Sequence, residues 1–550
     1  MKVIIVGGVA GGASAAARLR RLDERAEIVI YERTGYISYA NCGLPYYVGD
    51  VIESGKALTL QTPESFFKRF NVTVKVHHEV INVDAEAKTI TVINRETGKK
   101  FCDSYDALIL SPGAKALQPN IPGIEAENVF VLRTVEDAFS LHDFIKDENV
   151  KSAVIAGGGF IGLEAAENFR HLGLEVTVVQ SPLQLFPALD FDLAAQVHAV
   201  LRENKVTLKL GKKITAIEKD ANQSVCILSD GEKLTADIVL FAIGVIPDTT
   251  LAEKVGLLSG VKGSIVVNDR MQTSVPNIYA VGDAVEVTHF VTEEKTVISL
   301  AGPANKQGRI AADNIAGIDS FYKGTQGSLV MKLFDQTVAA TGINEKQAKA
   351  AQINYHKVIL FPPSHATYYP GGNAMAMKVL FEKSTNKILG AQIVGHEGVD
   401  KRIDVIATAI RAQMKATELS ELELSYAPPY SSAKDPVNMA GFIIENLVRG
   451  KVNQFYYEDV APLRSSGDVL LIDARTPNEY ARGHAEGFIN ISLDDLRERV
   501  SEIPKNKKVY VMCQTGSRSY VACRILTALG YECYNFAGGY RYYSLIEKES

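Results

Sequence analysis

The chain has 550 residues, 46% of them hydrophobic and 22% charged, with a formal net charge of −5. Such a chain is long enough for about three or four domains of ordinary globular composition. It offers no basic field for nucleic acid or an anionic membrane, and no apolar run long enough to read as a membrane span. Six cysteines, at positions 42, 102, 226, 513, 523 and 533, form no CxxC pair, which argues against a disulfide scaffold and against structural zinc, so no metal site is expected. The opening residues, Met1-Lys2-Val3-Ile4-Ile5-Val6, lack the charged region and cleavage site of a signal peptide, and a reducing cytoplasm is the expected compartment.

Residues 2–6 are a β-branched run that enters Gly7-Gly8-Val9-Ala10-Gly11-Gly12, followed by a helix over 13–21 and a second strand over 28–31 ending at Glu32. Strand, glycine turn, helix, strand and acid together place a pyrophosphate on a helix N-terminus and a ribose hydroxyl on the acid. Val9 stands where the middle glycine of GxGxxG is usual. Next comes Ser38-Tyr39-Ala40-Asn41-Cys42-Gly43-Leu44-Pro45, with one cysteine and no second one close by. A free cysteine is often just a small buried hydrophobe. Beside a flavin, a Cys-x₄-Cys pair would store electrons as an internal disulfide, whereas a lone Cys42 would store them as a mixed disulfide with a small thiol or as a sulfenic acid.

Leu110-Ser111-Pro112-Gly113-Ala114 closes this unit, and the pattern then returns. A strand over 152–156 meets a full GxGxxG, Gly157-Gly158-Gly159-Phe160-Ile161-Gly162, then a helix through 169 and a strand over 175–179. Two dinucleotide sites on one chain, with a cysteine beside the first, read as a flavin–nicotinamide disulfide oxidoreductase, FAD in the first unit and nicotinamide in the second. Gln180 stands where an acid selective for a free 2′-hydroxyl would fall, and no Arg or Lys lies in 180–192 to meet a 2′-phosphate. NADH is therefore expected, with NADPH as the alternative. Residues 273–283 read as a strand ending in Gly282-Asp283, whose carboxylate would hold a ribitol hydroxyl. The candidate FAD-binding residues are Gly7, Gly8, Val9, Ala10, Gly11, Gly12, Glu32, Arg33, Ser111, Pro112, Gly113, Gly282, Asp283, Pro303 and Ala304. Those for the nicotinamide are Gly157, Gly159, Phe160, Ile161, Gly162, Gln180 and Gly244.

From 327 the period changes. Strand-length runs at 328–334, 338–342, 357–361 and 376–381 precede helix-length segments at 398–413 and 437–449. A linker is expected at 446–458. A small α/β unit follows, with a strand ending in Asp473-Ala474-Arg475 and another, 508–512, opening into Cys513-Gln514-Thr515-Gly516-Ser517-Arg518-Ser519. A strand-to-helix loop turns its amides inward at a helix N-terminus and stabilises a thiolate or persulfide on Cys513, and Arg518 adds a fixed charge. Cys102, Cys226, Cys523 and Cys533 sit in or beside apolar runs and read as structural. The expected fold class is α/β, with two Rossmann-type domains for FAD (1–114 and 244–324) and NAD(P)H (115–243), an α+β dimerisation domain (325–445) and a C-terminal α/β domain (459–550).

Residues 1–445 resemble the coenzyme A-disulfide reductase family of flavoproteins, on the Gly7-to-Gly12 turn, the run around Cys42 and Ala433-Lys434-Asp435-Pro436-Val437-Asn438. Residues 459–550 resemble a rhodanese domain, on Asp473-x-Arg475, the Cys513 loop and Gly538-Gly539, with Tyr542 or Tyr543 in place of the usual Trp. The first resemblance implies a Cys42–coenzyme A mixed disulfide in a homodimer. Two tyrosines of the partner subunit would reach it, matching Tyr426 and Tyr368, with Tyr369 as the alternative to the latter. It also implies coenzyme A contacts from Ser38, Asn41, Asn305 and Lys434, and phosphate contacts from Arg18, Arg21 and Lys68 or Arg69. Related NADH oxidases and peroxidases carry a histidine in the first glycine turn, where Ala10 stands here, which argues against peroxide chemistry. The implied function is NADH-dependent reduction of coenzyme A persulfide or polysulfide through Cys42, with Cys513 and Arg518 serving sulfur transfer. The alternative is coenzyme A disulfide reduction beside an independent rhodanese.

Overall fold

A computed structural model describes residues 1–147 and 149–549. The chain forms two compact units, Met1–Leu185 with Asn204–Gly327, and Phe186–Glu203 with the chain from Ser328 onward.

The first unit contains the same parallel sheet twice. In one, the strands Ile278–Ala280, Ala107–Leu110, Lys2–Val6, Glu27–Tyr31 and Thr73–Lys75 lie in that order. In the other the order is Val129–Val131, Ile238–Phe241, Ser152–Ala156, Glu175–Gln180 and Val206–Leu210. The central strands have no exposed face, and Val3, Ile4, Ile5, Ile155, Leu240 and Leu108 are all buried. This is why they appear in the sequence as unbroken apolar runs. A three-stranded antiparallel meander accompanies each sheet, His78–Asp84, Thr89–Asn94 and Lys100–Ser104 in the first and Ile214–Asp220, Gln223–Leu228 and Lys233–Ala236 in the second.

The first helix, Ala10–Leu22, begins three positions before the expected start, so the last two glycines of the turn lie inside it. It crosses the helix Ala301–Ile315 closely enough that a Cβ on Gly308 would lie 2.2 Å from the Gly11 carbonyl oxygen. The strand expected over 273–283 is only Ile278–Ala280. Pro276 cannot donate to a ladder and Asn277 turns through a positive φ of 63°.

The second unit joins an antiparallel sheet to a parallel one. The antiparallel order is Leu329–Leu333, Gln336–Gly342, Ile388–Gly395, Ala376–Glu382 and Tyr355–Leu360. Ile388–Gly395 is buried along its whole length, and its two glycines and a glutamine hid it from the sequence reading. The parallel order is Asn453–Phe455, Cys533–Phe536, Lys508–Met512, Val469–Asp473 and Ile489–Asn490. The stretch read as a linker, 446–458, is largely structured. It holds the end of the helix Pro436–Val448, the edge strand Asn453–Phe455 and the start of the helix Tyr457–Ser466. A three-residue strand is too short to show a period.

The two sheets of this unit meet through an apolar cluster containing Ile359, Phe455, Phe536, Tyr542 and Tyr543, and through a buried ionic cluster. Lys378, without accessible surface, binds Asp190 at 2.9 Å, Asp192 at 2.8 Å and Glu345. Lys357 binds Glu345 at 3.0 Å and Glu458 at 2.8 Å. The Tyr355 hydroxyl donates to Glu345 at 2.6 Å, and that of Tyr542, from the terminal helix Gly539–Glu549, donates to Asp192. Burial alone would raise the Glu345 pKa, but the two ammonium groups outweigh it and hold the carboxyl near 2.

Lys378→Met leaves Asp190 and Asp192 without their cation and Glu345 with Lys357 alone, and is expected to cost about 3–5 kcal/mol, read as a lowered urea midpoint. Tyr542→Phe should cost about 1–3 kcal/mol. The Glu345 contribution is present above its ordinary pKa of 4.5 and is lost as the pH falls toward about 2. The urea midpoint, followed against pH, should decline across that window and less so in Glu345→Gln.

Candidate active site

The two glycine turns are built alike. A Cβ on Gly7 (φ +95°) would lie 2.1 Å from the Ser111 carbonyl oxygen, and one on Gly157 (φ +108°) 2.3 Å from that of Ala242. A Cβ on Gly12 would lie 1.9 Å from the Gly7 oxygen, and one on Gly162 2.0 Å from that of Gly157. Val9 and Gly159 occupy the same N-cap position with negative φ (−99° and −89°), and a Cβ on Gly159 would meet nothing within 4 Å. A side chain is therefore tolerated there, which accounts for Val9. Neither helix has a capping side chain on its N-cap residue, an arrangement suited to a pyrophosphate at the helix start.

The residue ending the second strand of each sheet holds its own turn. Glu32 accepts from Gly8 N–H at 2.9 Å and from Thr34. Gln180 accepts from Gly158 N–H at 2.9 Å through its amide oxygen. Arg33 binds Asp248 at 2.7 Å. Asp283 binds Arg133 at 2.8 Å, and Gly282 N–H donates to Gln307 at 2.7 Å. Pro303 and Ala304 lie in the first turn of Ala301–Ile315, another helix start without a capping side chain. Pro112 and Gly113 follow the strand end at Leu110, and Gly244 (φ +123°) lies beyond Phe241. These uncapped helix starts and glycine cradles fit two bound dinucleotides.

Cys42 lies in the 3₁₀ turn Asn41–Gly43 and is exposed. Ser38, at a positive φ of 45°, donates its N–H to the Gly8 carbonyl at 2.8 Å and so fastens this segment to the first glycine turn. The Asn41 amide, oriented to satisfy its neighbours, donates to the Arg133 carbonyl at 3.0 Å and accepts from its guanidinium at 3.3 Å. The Cys42 thiol is held above its ordinary pKa by the protein packed around it and then by the Glu164 carboxylate, against the pull of Arg133. Glu164 is itself raised to about 7, by burial first and by Glu167, although Tyr46 donates to it at 3.2 Å.

Arg133, Tyr46 and Glu164 escaped the sequence reading. The available signal for Glu164 was an acid among the Ala and Leu residues of the helix that follows the second glycine turn. Of the other expected coenzyme A contacts in this unit, Asn305 accepts from Ser14 at 2.6 Å and Arg18 is engaged by Asp313 at 2.6 Å. Arg21, Lys68 and Arg69 are exposed. Cys102, expected to be structural, is exposed as well. Its strand alternates, and the neighbouring Phe101 takes the inward position. Cys226 and Cys533 are pushed up to about 12 by burial, and Cys523 is also buried.

In the second unit the hydroxyls of Tyr368 and Tyr426 are 2.9 Å apart, on side chains exposed by 74% and 47%. Tyr369 packs edge-on to His365 instead. Buried Arg402 ties the two tyrosine-bearing loops together, donating to the Ser364 and Tyr430 carbonyls at 3.0 and 3.2 Å and to Asp435 at 2.9 Å. Lys434, beside Asp435, is exposed.

Cys513 is buried, and its Sγ accepts from Gly516 N–H and Ser519 Oγ, both at 3.2 Å. Arg518 forms a two-pronged pair with Glu479 at 2.6 and 2.7 Å, which holds that carboxyl near 2. Its charge still reaches Cys513 electrostatically, but its hydrogen bonds go to Glu479. Buried Arg475 is clamped by Asp473 at 2.6 Å and stacks over the Tyr540 ring at 3.9 Å. Tyr542 and Tyr543, expected in place of the usual Trp, are both buried in the apolar cluster of this domain. The terminal helix starts at Gly539, and its first turn meets the Cys513 loop through Tyr540 N–H to the Cys513 carbonyl at 2.6 Å.

This geometry, two dinucleotide folds with an isolated cysteine beside the first, defines a flavin- and nicotinamide-dependent disulfide reductase. A family model for pyridine nucleotide-disulphide oxidoreductases matches residues 1–308, one for their dimerisation domain matches 330–436, and one for rhodanese-like domains matches 457–545. The chain belongs to the pyridine nucleotide-disulphide oxidoreductase family, carries a rhodanese-like domain, and is an NAD(P)H-dependent flavoprotein enzyme. A coenzyme A disulfide reductase of Staphylococcus aureus is 38% identical over 442 residues, 80% of this chain and 99% of its own. The solved structure of reduced Bacillus anthracis CoADR-RHD is 48% identical with a TM-score of 0.98, covering 100% of this chain and 98% of that one. That of a NAD-dependent persulfide reductase from A. fulgidus is 36% identical with a TM-score of 0.93, covering 99% and 100%. Among the described residues, no helix is long and apolar enough to cross a membrane.

Glu164→Gln removes a like charge from beside the Cys42 thiolate and should lower its pKa by about half a unit or more. The measurement is the pH dependence of iodoacetamide alkylation of the reduced protein. It should be quantified on the Cys42 peptide by mass spectrometry, because Cys102 is exposed too.

Proposed function

We propose that the protein uses NADH to reduce sulfane sulfur carried on coenzyme A, with Cys42 as the redox cysteine and Cys513 as the sulfur carrier. The observation that carries this reading is the pairing on one chain of an exposed lone cysteine beside a flavin fold and a buried cysteine with two donors on its sulfur. The persulfide reductase from A. fulgidus, similar along the whole chain, supports it. The absence of a cation in 180–192 favours NADH over NADPH.

Sulfur enters on Cys513 as a persulfide, and the Gly516 amide and Ser519 hydroxyl, bonded to Sγ, stabilise the Cys513 thiolate that takes it up and is left when it departs. Coenzyme A thiolate attacks the outer sulfur, giving coenzyme A persulfide and the Cys513 thiolate. The Cys42 thiolate then attacks the carbon-bound sulfur of that persulfide. The S–S bond breaks, HS⁻ leaves, and a Cys42–coenzyme A disulfide forms. When bound, FAD supplies two-electron transfer between the nicotinamide and this disulfide. Two electrons and one proton return the Cys42 thiolate and coenzyme A thiol. Tyr368 and Tyr426 of a partner subunit would stabilise or protonate the departing thiolate, which makes the working form a homodimer. Ser38, Asn41, Asn305 and Lys434 would hold coenzyme A, with Arg18, Arg21 and Lys68 or Arg69 on its phosphates. Ala10 provides no acid–base group for peroxide chemistry, and the free thiols suit a reducing cytoplasm.

A second reading, coenzyme A disulfide reduction beside an independently acting rhodanese domain, draws on the S. aureus relative, which covers 80% of this chain. The two are separated by NADH oxidation with coenzyme A persulfide, polysulfide and coenzyme A disulfide, with sulfide measured as product. Under the proposal Cys42→Ser abolishes NADH-linked turnover of all three. Cys513→Ser slows polysulfide reduction at least tenfold while leaving coenzyme A persulfide reduction within about twofold, because only the donor step requires that sulfur. Disulfide turnover far above persulfide turnover would favour the second reading.

A further inference from the structure

Tyr368 and Tyr426 sit on loops with little regular structure of their own. The first lies between the strands Tyr355–Leu360 and Ala376–Glu382, the second between the short 3₁₀ segment Ala416–Glu421 and the helix Pro436–Val448. Their side chains are exposed, yet the hydroxyls meet at 2.9 Å. One hydrogen bond between exposed hydroxyls is too weak to offset the backbone freedom that two ordered loops lose. The order comes from the roots of the loops, where Ser364, His365 and Ala366 on one side and Ser431 and Asp435 on the other are buried.

Arg402, from the helix Val399–Arg411, joins the two roots. Its Nη2 donates to the Ser364 carbonyl at 3.0 Å, four residues before Tyr368, and to the Tyr430 carbonyl at 3.2 Å, four residues after Tyr426. The same nitrogen reaches Ser431 Oγ at 3.1 Å and Asp435 at 2.9 Å. Asp435 balances the buried charge and also accepts from the Ser431 hydroxyl at 2.8 Å. Nη1 donates back to the Gly398 carbonyl at 3.1 Å. Gly398 has a φ of +73°, and a Cβ there would lie 2.1 Å from Nη1. The guanidinium is thus fixed by its own helix start and in turn fixes both loops. A lysine could keep the ion pair with Asp435, but its ammonium is a point charge without the planar fork that spans two loops.

We propose that Arg402 is a positioning residue for reduction at Cys42, setting the separation of the two tyrosine hydroxyls so that they act on the departing thiolate as one unit. This rests on the reading of Tyr368 and Tyr426 as the groups that stabilise or protonate that thiolate. Arg402 adds no covalent step. It acts through geometry, and a displacement of about 1 Å at a reacting group can cost on the order of a hundredfold in rate.

The test is NADH oxidation by the full-length, FAD-loaded protein with coenzyme A disulfide and with coenzyme A persulfide. Arg402→Lys should lower kcat at least about tenfold, with KM within about threefold and the flavin spectrum of the wild type. On the residual turnover of Tyr368→Phe/Tyr426→Phe, adding Arg402→Lys should cost less than about twofold, because nothing remains to be positioned. A role confined to stability would lower turnover by the same factor in both backgrounds. Gly398→Ala crowds the guanidinium while leaving its charge. It should show the same pattern, and it replaces Arg402→Lys if that variant does not fold. Wild-type kcat in the folded variant, or an undiminished loss in the tyrosine-free background, overturns the proposal. If Tyr368→Phe/Tyr426→Phe turns over like the wild type, the reading of the tyrosines fails instead, and the proposal falls with it.

Discussion

Lys378 carries its charge at a point without accessible surface, and its surroundings are arranged to make that tolerable. Asp190 and Asp192 arrive from the start of one helix and Glu345 from the start of another, with Lys357 and Tyr355 completing the shell of Glu345. The net stabilisation of such a cluster is small, because desolvation opposes the attraction. Its effect is on geometry, since removing any one partner leaves a charge in this cluster less fully paired. Tyr542 brings the terminal helix into the same cluster, so the domain bearing Cys513 takes one orientation on the antiparallel sheet. With that orientation set, the Cys513 loop and the arginines beside it occupy a fixed place within this unit.

The two sulfur sites are opposite solutions to handling a reactive thiol. Cys42 is accessible, yet its surroundings favour the protonated form, with Glu164 opposing the negative charge and Arg133 supporting it. Cys513 is closed off, and its sulfur receives two hydrogen bonds from its own loop. The first arrangement suits a sulfur that spends its resting time in a covalent bond to something else. The second suits one that carries an anionic atom for transfer. Assigning both to a single sulfur current gives each environment a purpose.

The parts of this protein legible in the sequence were those governed by local backbone rules. Glycines at the two turns, the runs of both central strands and the Cys513 loop announced themselves because close approach and burial leave few choices of residue. Even the departure at Val9 follows such a rule, since the equivalent Gly159 has open space where a side chain would go. What stayed hidden depends on partners distant in the chain. Glu479 takes the hydrogen bonds of Arg518, Arg402 knits two tyrosine loops together, and Glu164 approaches Cys42 from the second dinucleotide fold. No period or spacing encodes those meetings. The supposed linker failed for another reason. Its middle is a three-residue strand whose fit depends on Phe455 meeting Phe536 and Tyr510.

That short strand also bears on how the C-terminal domain could exist apart from the rest. The rhodanese-like match begins at residue 457, after Asn453–Phe455 has already joined the sheet beside Cys533–Phe536. A fragment cut at the match boundary would bare one flank of Cys533–Phe536, with its unpaired backbone and the aromatic surface that Phe455 covers. Exposed flanks of this kind recruit strands from other chains, so such a fragment would be prone to self-association. The outermost strand of the sulfur-carrying domain is thus supplied by the chain arriving from its neighbour. By its pairing the strand belongs to the sulfur-carrying domain, and the exposed turn Arg449-Gly450-Lys451 before it is where a protease would part the two.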